Sequence, residues 1–276
     1  MYPGAVGPFS VFEPEAGECP LIVEVPHAGL YVDPETLATL AASGQAMGRD
    51  ADLYVDQLYA DAPALGATLL VAHASRYVCD LNRGRAEVDA LTVRGGAGRA
   101  NPHGLIWRST TDGTAALVDG PLPYSELERR LHDFYDPYHA ALKGLIERKR
   151  ARFGYAILLC AHSMPSVGKS SRAGVTSVRA DVVPGTRQRT TASAAVIRTT
   201  ERLAQARGLS LAHDNPYSGG FSTGHYGRPR HGVHAIQVEL SRRLYMNETA
   251  LSKTSGFDET RQLCRELVAA LAEVTP

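Results

Sequence analysis

The feature that most constrains the fold of this chain is the alternation of short apolar runs with longer segments of helical periodicity. The predicted strands are 21–25, 68–72, 155–160 and 234–240. Apolar residues at helical spacing predict helices at 50–65, 124–153, 190–207 and 257–274. Strands that alternate with helices predict an α/β fold with a mainly parallel or mixed central sheet and helices on both faces.

Breaker residues divide the chain further. Pro137 lies inside the 124–153 pattern and predicts two helical segments there. Residues 84–122 and 214–232 are rich in glycine and proline, which predicts long segments with little regular structure. Because no repeat or linker interrupts the pattern, we expect a single domain over residues 1–276.

Composition excludes several classes of protein. The 276 residues include 29 Lys+Arg and 29 Asp+Glu, so the formal net charge is zero. Nucleic-acid binders and proteins of anionic membrane surfaces normally carry a basic excess, and this chain has none. No apolar run approaches the roughly 20 residues of a membrane span. We therefore expect no nucleic-acid partner and no membrane partner.

Cysteine usage indicates the compartment. Cys19, Cys79, Cys160 and Cys264 are far apart, and none belongs to a C-x-x-C pair. This spacing is not typical of a disulfide framework or of a cysteine zinc site. Dispersed cysteines, together with an N-terminus that lacks a signal-peptide pattern, predict a cytoplasmic protein.

Polar residues at the ends of three predicted strands are the first candidates for a site. His27 follows strand 21–25, His162 follows strand 155–160, and Glu239 lies near the end of strand 234–240. Ligands in parallel sheets bind beyond the carboxyl ends of the strands. Two histidines and a carboxylate meeting there would suit a catalytic zinc, with a further carboxylate as general base. The alternative is a hydrogen-bonded loop role for each histidine.

A third metal ligand and a group that binds an anion must come from other segments. Asp50 and Asp52 are the carboxylate candidates, and their alternative role is in the first turn of a helix. Arg76, Asn82 and Arg83 follow strand 68–72 and could bind a substrate carboxylate, because guanidinium groups pair with carboxylates in a two-pronged geometry. Their alternative role is in a surface loop held by salt bridges.

Other motifs have weaker support. Gly220–Gly224 matches the G-x-S-x-G pattern around Ser222, but a serine nucleophile on such a turn needs a strand before it and a helix after it. Here a loop rich in proline and glycine precedes it and more glycine and proline follow. His231 and His234 are spaced for a metal, but they more simply flank a strand, and we expect surface or packing roles for His132 and His139.

Several segments together resemble the N-formylglutamate amidohydrolase family. The matching segments, in the family's order, are 25–29, 52–59, 75–83, 136–139, 161–164, 215–220, 237–240 and 244–246. One segment alone would carry little weight, whereas the ordered set spans most of the chain. The Asp80–Arg83 segment is also similar to that of the aspartoacylases and succinylglutamate desuccinylases, which are zinc amidohydrolases of the carboxypeptidase-like group.

The resemblance implies a fold, a cofactor and a reaction. The implied fold is phosphorylase/hydrolase-like, in the manner of the zinc carboxypeptidases. The implied reaction is zinc-dependent hydrolysis of an N-acyl amino acid, with one zinc ion per chain and N-formyl-L-glutamate as the expected substrate. The resemblance makes His27, His162 and Asp52 the zinc ligands, with Asp50 as the alternative carboxylate, and makes Glu239 the general base.

The same resemblance assigns the substrate-binding residues. Arg76 would stabilise the oxyanion or bind substrate, and Asn82 and Arg83 would hold the amino-acid carboxylate. Candidates for the cation that binds the second carboxylate are Arg187, Arg228 and Arg230.

Two positions depart from the family pattern and bear on which substrate is bound. Ala28 stands where serine is expected, and Cys160 stands where an acidic residue is expected. The alternatives are another N-acyl amino acid as substrate, or a non-catalytic binding relative.

Overall fold

A mixed β-sheet organises the α/β fold. The computed structural model describes residues 7–15, 17–169 and 176–276. Across these residues a six-stranded sheet has the order β1-β3-β2-β4-β8-β7. Its strands are β1 (Phe9–Phe12), β2 (Leu21–Val25), β3 (Thr68–Ala72), β4 (Ala156–Met164), β7 (Val182–Gly185) and β8 (Val233–Ser241), and the strands of two small ribbons are β5 (Val167–Lys169), β6 (Thr176–Val178), β9 (Met246–Asn247) and β10 (Ser252–Lys253).

Helices fill most connections between the strands. The α-helices are α1 (Pro34–Leu37), α2 (Gly44–Asp50), α3 (Val55–Leu58), α4 (Tyr124–Arg130), α5 (Asp136–Phe153), α6 (Ala194–Ala206), α7 (Phe221–Tyr226) and α8 (Phe257–Ala272). Short 3₁₀ turns occur at Pro63–Leu65, Pro229–His231 and Arg242–Leu244, and a π-helical turn occurs at Leu131–Tyr135. Within the described part of the chain, every helix is too short or too polar to cross a lipid bilayer.

The register of the central strands places the functional candidates. β2 pairs in parallel with β4, and β4 pairs in parallel with β8, whereas β7 runs antiparallel to β8. The predicted strand 155–160 continues to Met164, so His162 lies inside β4 and pairs directly with Glu239 of β8. The apolar run ends before His162, so the sequence pattern predicted the end of this strand too early. The strand continues through the polar residues His162 and Ser163.

One helix prediction is confirmed in part and another is wrong. The pattern at 124–153 is helical and divides as expected. The division is a π-helical turn at Leu131–Tyr135, which widens the helix just ahead of Pro137, a residue with no N–H to donate. The single helix predicted at 50–65 is wrong. Tyr54 adopts a left-handed backbone conformation with φ of 68°, and this ends the helical path between α2 and α3.

The predicted loop at 214–232 is partly wrong, because it contains α7. A helix this short leaves little periodicity in the sequence, and the flanking Gly219 and Gly227 conceal it further. Ser193 caps α6 by accepting a hydrogen bond from the Val196 N–H, so this helix begins later than the predicted 190–207.

Close contacts divide the chain into two units. One comprises Met1–Val11, Pro26–Leu53 and Leu70–Gly144, and the other comprises Phe12–Val25, Tyr54–Leu69 and Leu145–Pro276. In the second unit, helices cover both faces of β8. Val238 and Leu240 line a small cavity with side chains of α6 and α8, whereas Gln237 faces the start of α7.

The first unit contains the long 84–122 segment, which forms little regular structure, as expected. The carboxylate of Asp89 organises this segment. It accepts hydrogen bonds from the backbone N–H groups of Leu91 and Asn101 and from the side chains of Thr92 and Arg108, at 2.7–3.0 Å. Nearby, Tyr77 and Trp107 form a small aromatic cluster.

Candidate active site

Adjacent strand ends bring the two candidate histidines to one edge of the sheet. In the parallel β2–β4 pair, Glu24 lies opposite Cys160. His27 comes three residues after Glu24, and His162 comes two residues after Cys160. Because the two strands run in the same direction, both histidines lie toward the carboxyl ends of β2 and β4.

The structure groups His27, Asp52 and His162, and all three are buried. One possible ligand atom from each lies within 4.8 Å of the other two, and the His27 Nδ1 to Asp52 Oδ2 distance is 3.6 Å. The Asp52 backbone N–H donates to the His27 carbonyl at 2.9 Å, which ties the two segments together. Two histidines and one carboxylate form a donor set typical of a catalytic zinc site, so this group could hold a metal ion.

Hydrogen bonds around His27 select the tautomer that a metal needs. Nε2 of His27 lies 2.7 Å from the Asp80 carboxylate. A guanidinium N–H of Arg76 contacts the other nitrogen, Nδ1. Arginine can only donate, so Nδ1 must be the acceptor and Nε2 must carry the proton. Nδ1, which lies 3.6 Å from Asp52 Oδ2, is therefore the unprotonated nitrogen, and a metal ligand must be unprotonated.

Asp80 is the site residue that sequence reasoning missed. Its carboxylate is fully buried, and it also accepts from Trp107 Nε1 at 3.0 Å and from the Asn82 N–H at 2.9 Å. Burial raises the pKa of Asp80, but the interaction with His27 and the charges of Arg76 and Arg83 outweigh it and hold that pKa well below its usual range. The signals in the sequence were its place between Arg76 and Arg83 after a strand and its position inside a segment that matches the family pattern.

Asp50, the alternative carboxylate, is engaged elsewhere. It is the last residue of α2 and accepts hydrogen bonds from the Tyr77 hydroxyl at 2.5 Å and from the Thr111 N–H at 3.1 Å. The Thr111 hydroxyl also donates to it. Burial, followed by the Asp50 contact, raises the pKa of Tyr77. Asp50 thus anchors α2 to the 84–122 segment, and Asp52 is the carboxylate grouped with the histidines.

Arg76 lies beside this group. Its guanidinium donates to the Asp50 carbonyl at 3.0 Å, lies 4.8 Å from the Trp107 ring centroid, and approaches Asp80 to 3.8 Å. These contacts orient the guanidinium toward His27. A cation held in this way can stabilise negative charge that develops beside the histidines.

The other predicted substrate-binding residues have different surroundings. Asn82 is buried and lies next to Asp80, whereas the Arg83 guanidinium donates to the carbonyls of His103 and Asn82 at 2.8 and 3.1 Å. Arg187 donates through Nε to the Gly219 carbonyl, and Arg228 donates to the Gly224 and Gly227 carbonyls. Both arginines are therefore attached to the segment around α7.

Glu239 lies next to His162 through backbone pairing and is 6% exposed. Its Oε1 accepts a hydrogen bond from Gln237 Nε2 at 2.8 Å. In a parallel pair, directly opposite residues project to the same face of the sheet, so the two side chains occupy one face. A carboxylate there can exchange a proton with a group bound beside the histidines.

Residues of the weaker motifs have structural roles. Ser222, the serine of the G-x-S-x-G match, is completely buried and donates to Glu24 at 2.8 Å, so it cannot act as an exposed nucleophile. His139 Nε2 lies 3.0 Å from the Leu81 carbonyl, and His234 Nδ1 accepts from the Ser193 N–H. His132 is exposed and lies beside Asp133.

Comparisons with known proteins agree with one another. The family model of N-formylglutamate amidohydrolase matches residues 19–246. The chain is 33% identical to an N-formylglutamate deformylase of Pseudomonas aeruginosa over 92% of this chain and 93% of that one. It is also 33% identical to an N-formylglutamate deformylase of Pseudomonas putida, over 84% of each chain.

A solved structure extends this similarity to three dimensions. The crystal structure of N-formylglutamate amidohydrolase from Ralstonia eutropha JMP134 superposes with a TM-score of 0.89 and 29% identity, over 97% of this chain and 98% of that one. The family match and the curated relatives each cover most of the sequence. This chain therefore belongs to the N-formylglutamate amidohydrolase family.

Proposed function

We propose that this protein hydrolyses N-formyl-L-glutamate to formate and L-glutamate. The observation that carries the proposal is the group of His27, Asp52 and His162, with Glu239 paired to His162 on the adjacent strand. Family membership supports the same reaction, because the curated relatives are N-formylglutamate deformylases.

We further propose that the three grouped residues hold one zinc ion. The donor set fits zinc, and the Asp80 contact keeps the proton on Nε2 of His27, so that Nδ1 is the unprotonated nitrogen that could bind the ion in place of its Arg76 contact. When bound, such an ion polarises a carbonyl group and lowers the pKa of water.

Glu239 is the proposed general base and acid. A water molecule adds to the formyl carbon, and its proton passes to the Glu239 carboxylate. Glu239 then delivers that proton to the amide nitrogen as the carbon–nitrogen bond breaks, and glutamate leaves as an amine. One residue serves both steps because it is the base before the transfer and the acid after it.

Charged and polar residues around this group would stabilise the oxyanion and orient the substrate. The Arg76 guanidinium stabilises negative charge on the formyl oxygen, where preorganised charge has its largest effect. Asn82 and Arg83 bind the α-carboxylate, and Arg187 or Arg228 binds the side-chain carboxylate. Holding both ends of the substrate places its formyl group beside Glu239.

Formate release is the direct test. The purified protein is assayed with N-formyl-L-glutamate before chelation, after chelation and after zinc is restored, with metal content measured each time. We expect about one zinc per chain and release that chelation abolishes and zinc restores. Zinc without release from this substrate would contradict the substrate assignment, and a panel of other N-acyl amino acids would then identify the acyl and amino-acid parts. No turnover of any of them would indicate a non-catalytic relative.

Glu239→Gln tests the proton-transfer role. We expect this variant to keep its zinc and to lose formate release by at least about 100-fold, since general acid–base groups contribute about 10²–10⁴-fold. Turnover equal to the wild type in a zinc-loaded variant would rule out Glu239 as the base.

The cytoplasmic location and the single domain over residues 1–276 stay predictions.

A further inference from the structure

The face of the sheet that carries Glu239 has a second row of polar residues below it. Glu24, Cys160 and Gln237 lie opposite one another on β2, β4 and β8, two residues before the level of His162 and Glu239. Residues two apart on a strand project to the same face. All three are at most 3% exposed, so their polar atoms need partners inside the protein.

The start of α7 supplies those partners. The Gly220 N–H donates to Gln237 Oε1 at 2.8 Å, the Ser222 hydroxyl donates to Glu24 at 2.8 Å, and the Thr223 hydroxyl donates to Cys160 Sγ at 3.5 Å. Each residue of the row is thus bonded to a different residue in this stretch. The G-x-S-x-G match in the sequence is an attachment of α7 to the sheet.

The Gln237 amide links this attachment to Glu239. A backbone N–H can only donate, so the amide oxygen of Gln237 must face Gly220. The NH₂ group must then face the other way, where it donates to Glu239 Oε1 at 2.8 Å. The Gly220 N–H therefore determines that the NH₂ end of the Gln237 amide, and not its oxygen, contacts the Glu239 carboxylate.

We propose that Gln237 is a positioning residue that holds Glu239 in its reactive orientation. This inference rests on the proposed function, in which Glu239 moves the proton. One oxygen of Glu239 is held by Gln237, and the carboxylate is thereby prevented from rotating away from the site. Holding that oxygen reduces the number of staggered conformers open to a side chain with three rotatable bonds, and few of those conformers would reach the substrate.

Close packing in turn fixes Gly220. An added Cβ on Gly185 of β7 would lie 2.7 Å from the Gly219 backbone nitrogen, so this loop lies directly on the strand. Gly219 has φ of 106°, a conformation that favours glycine, and the Arg187 N–H donates to the Ser218 carbonyl at 2.7 Å. The Gly220 N–H that orients Gln237 therefore belongs to a segment that packs closely against β7.

The test compares Gln237→Met with Thr223→Val. The first variant keeps the size of the side chain and removes both hydrogen bonds, and the second cuts one attachment of α7 without touching Gln237 or Glu239. For Gln237→Met we expect kcat to fall about 10- to 100-fold with KM within about twofold of the wild type and zinc content unchanged. For Thr223→Val we expect kcat within about twofold of the wild type.

Gln237→Asn is the second variant, in case Gln237→Met does not fold. Its amide is one carbon shorter and cannot reach both Gly220 and Glu239, so the same loss of kcat is expected. Wild-type kcat in either folded variant, or an equal loss in Thr223→Val, would overturn the inference.

Crystal structures separate this inference from the substrate assignment. We expect Glu239 to occupy one conformer in the wild type and to leave it in Gln237→Met. An unmoved Glu239 would overturn the positioning role even if N-formyl-L-glutamate proved not to be the substrate. A wild type that binds zinc but releases no formate would contradict the proposed function. The position of Glu239 in the two crystal structures would then still decide whether Gln237 holds it.

Discussion

At the scale of single residues, the surroundings of Asp50 and Asp52 give the two carboxylates different roles. Asp50 is held by Tyr77 and Thr111, whereas Asp52 lies 3.6 Å from His27 Nδ1. Both are buried, so burial does not distinguish them. The partner groups do, because Asp50 is bound by Tyr77 and Thr111, whereas Asp52 is grouped with the two histidines.

This difference predicts that two matched substitutions affect different properties, zinc binding in one case and stability in the other. Asp52→Asn should abolish zinc retention, because it removes a charged ligand. Asp50→Asn should retain zinc but lower the free energy of unfolding by about 1–3 kcal/mol, because it weakens hydrogen bonds to a buried charge. Metal analysis and urea unfolding of the metal-free proteins measure both. Loss of zinc in Asp50→Asn, with retention in Asp52→Asn, would reverse the assignment.

At the scale of elements, the segment after β2 depends on a close backbone contact. An added Cβ on Gly29 would lie 2.2 Å from the His73 carbonyl oxygen, just beyond β3. The neighbouring Tyr31 N–H donates to the same carbonyl at 2.9 Å. The segment that carries His27 is therefore held against the end of β3 by a contact that only glycine permits.

Glycine-to-alanine substitutions should thus have opposite effects at two positions. Gly29→Ala should lower stability by about 1–3 kcal/mol and weaken zinc retention, because the methyl group displaces the segment that carries His27. Gly144→Ala, with nothing within 4 Å of the added Cβ in helix α5, should raise stability by about 0.5–1 kcal/mol. Urea unfolding midpoints test both, and a neutral Gly29→Ala would show that the segment is adaptable.

At the scale of the whole molecule, acid stability depends on carboxylates with lowered pKa values. Burial raises the pKa of Asp89, but hydrogen bonds from Asn101, Thr92 and Arg108 outweigh it and hold that pKa below its ordinary value of 3.8. The same balance lowers the pKa values of Asp33, Glu126 and Asp181. Folding therefore favours the ionised form of each group.

The sign of the pH dependence follows from this direction. A group whose pKa is lower in the folded state stabilises the protein above its unfolded pKa, and this contribution is lost as the pH falls through the folded pKa. Asp89→Asn should therefore lower stability by about 1–2 kcal/mol at pH 7, and the difference from wild type should shrink below about pH 3.8. Urea unfolding at several pH values measures the difference. A constant difference across this range would contradict the prediction.

The sequence by itself determined the strands at 21–25 and 68–72, the division of the long helix near Pro137, and the candidates His27, His162 and Glu239. These features depend on local periodicity, on the chemistry of proline, and on residues recognised in a family pattern.

Only the tertiary structure decided which polar groups meet. The pairing of His27 with Asp80, the separation of Asp50 from Asp52, and the contact between Gln237 and Gly220 depend on strand order and register. His27 and Asp80, and likewise Gln237 and Gly220, are far apart in the chain. Asp50 and Asp52 are the same residue type two positions apart, and only their surroundings distinguish them. No local pattern encodes them, because their geometry exists only when the sheet has formed.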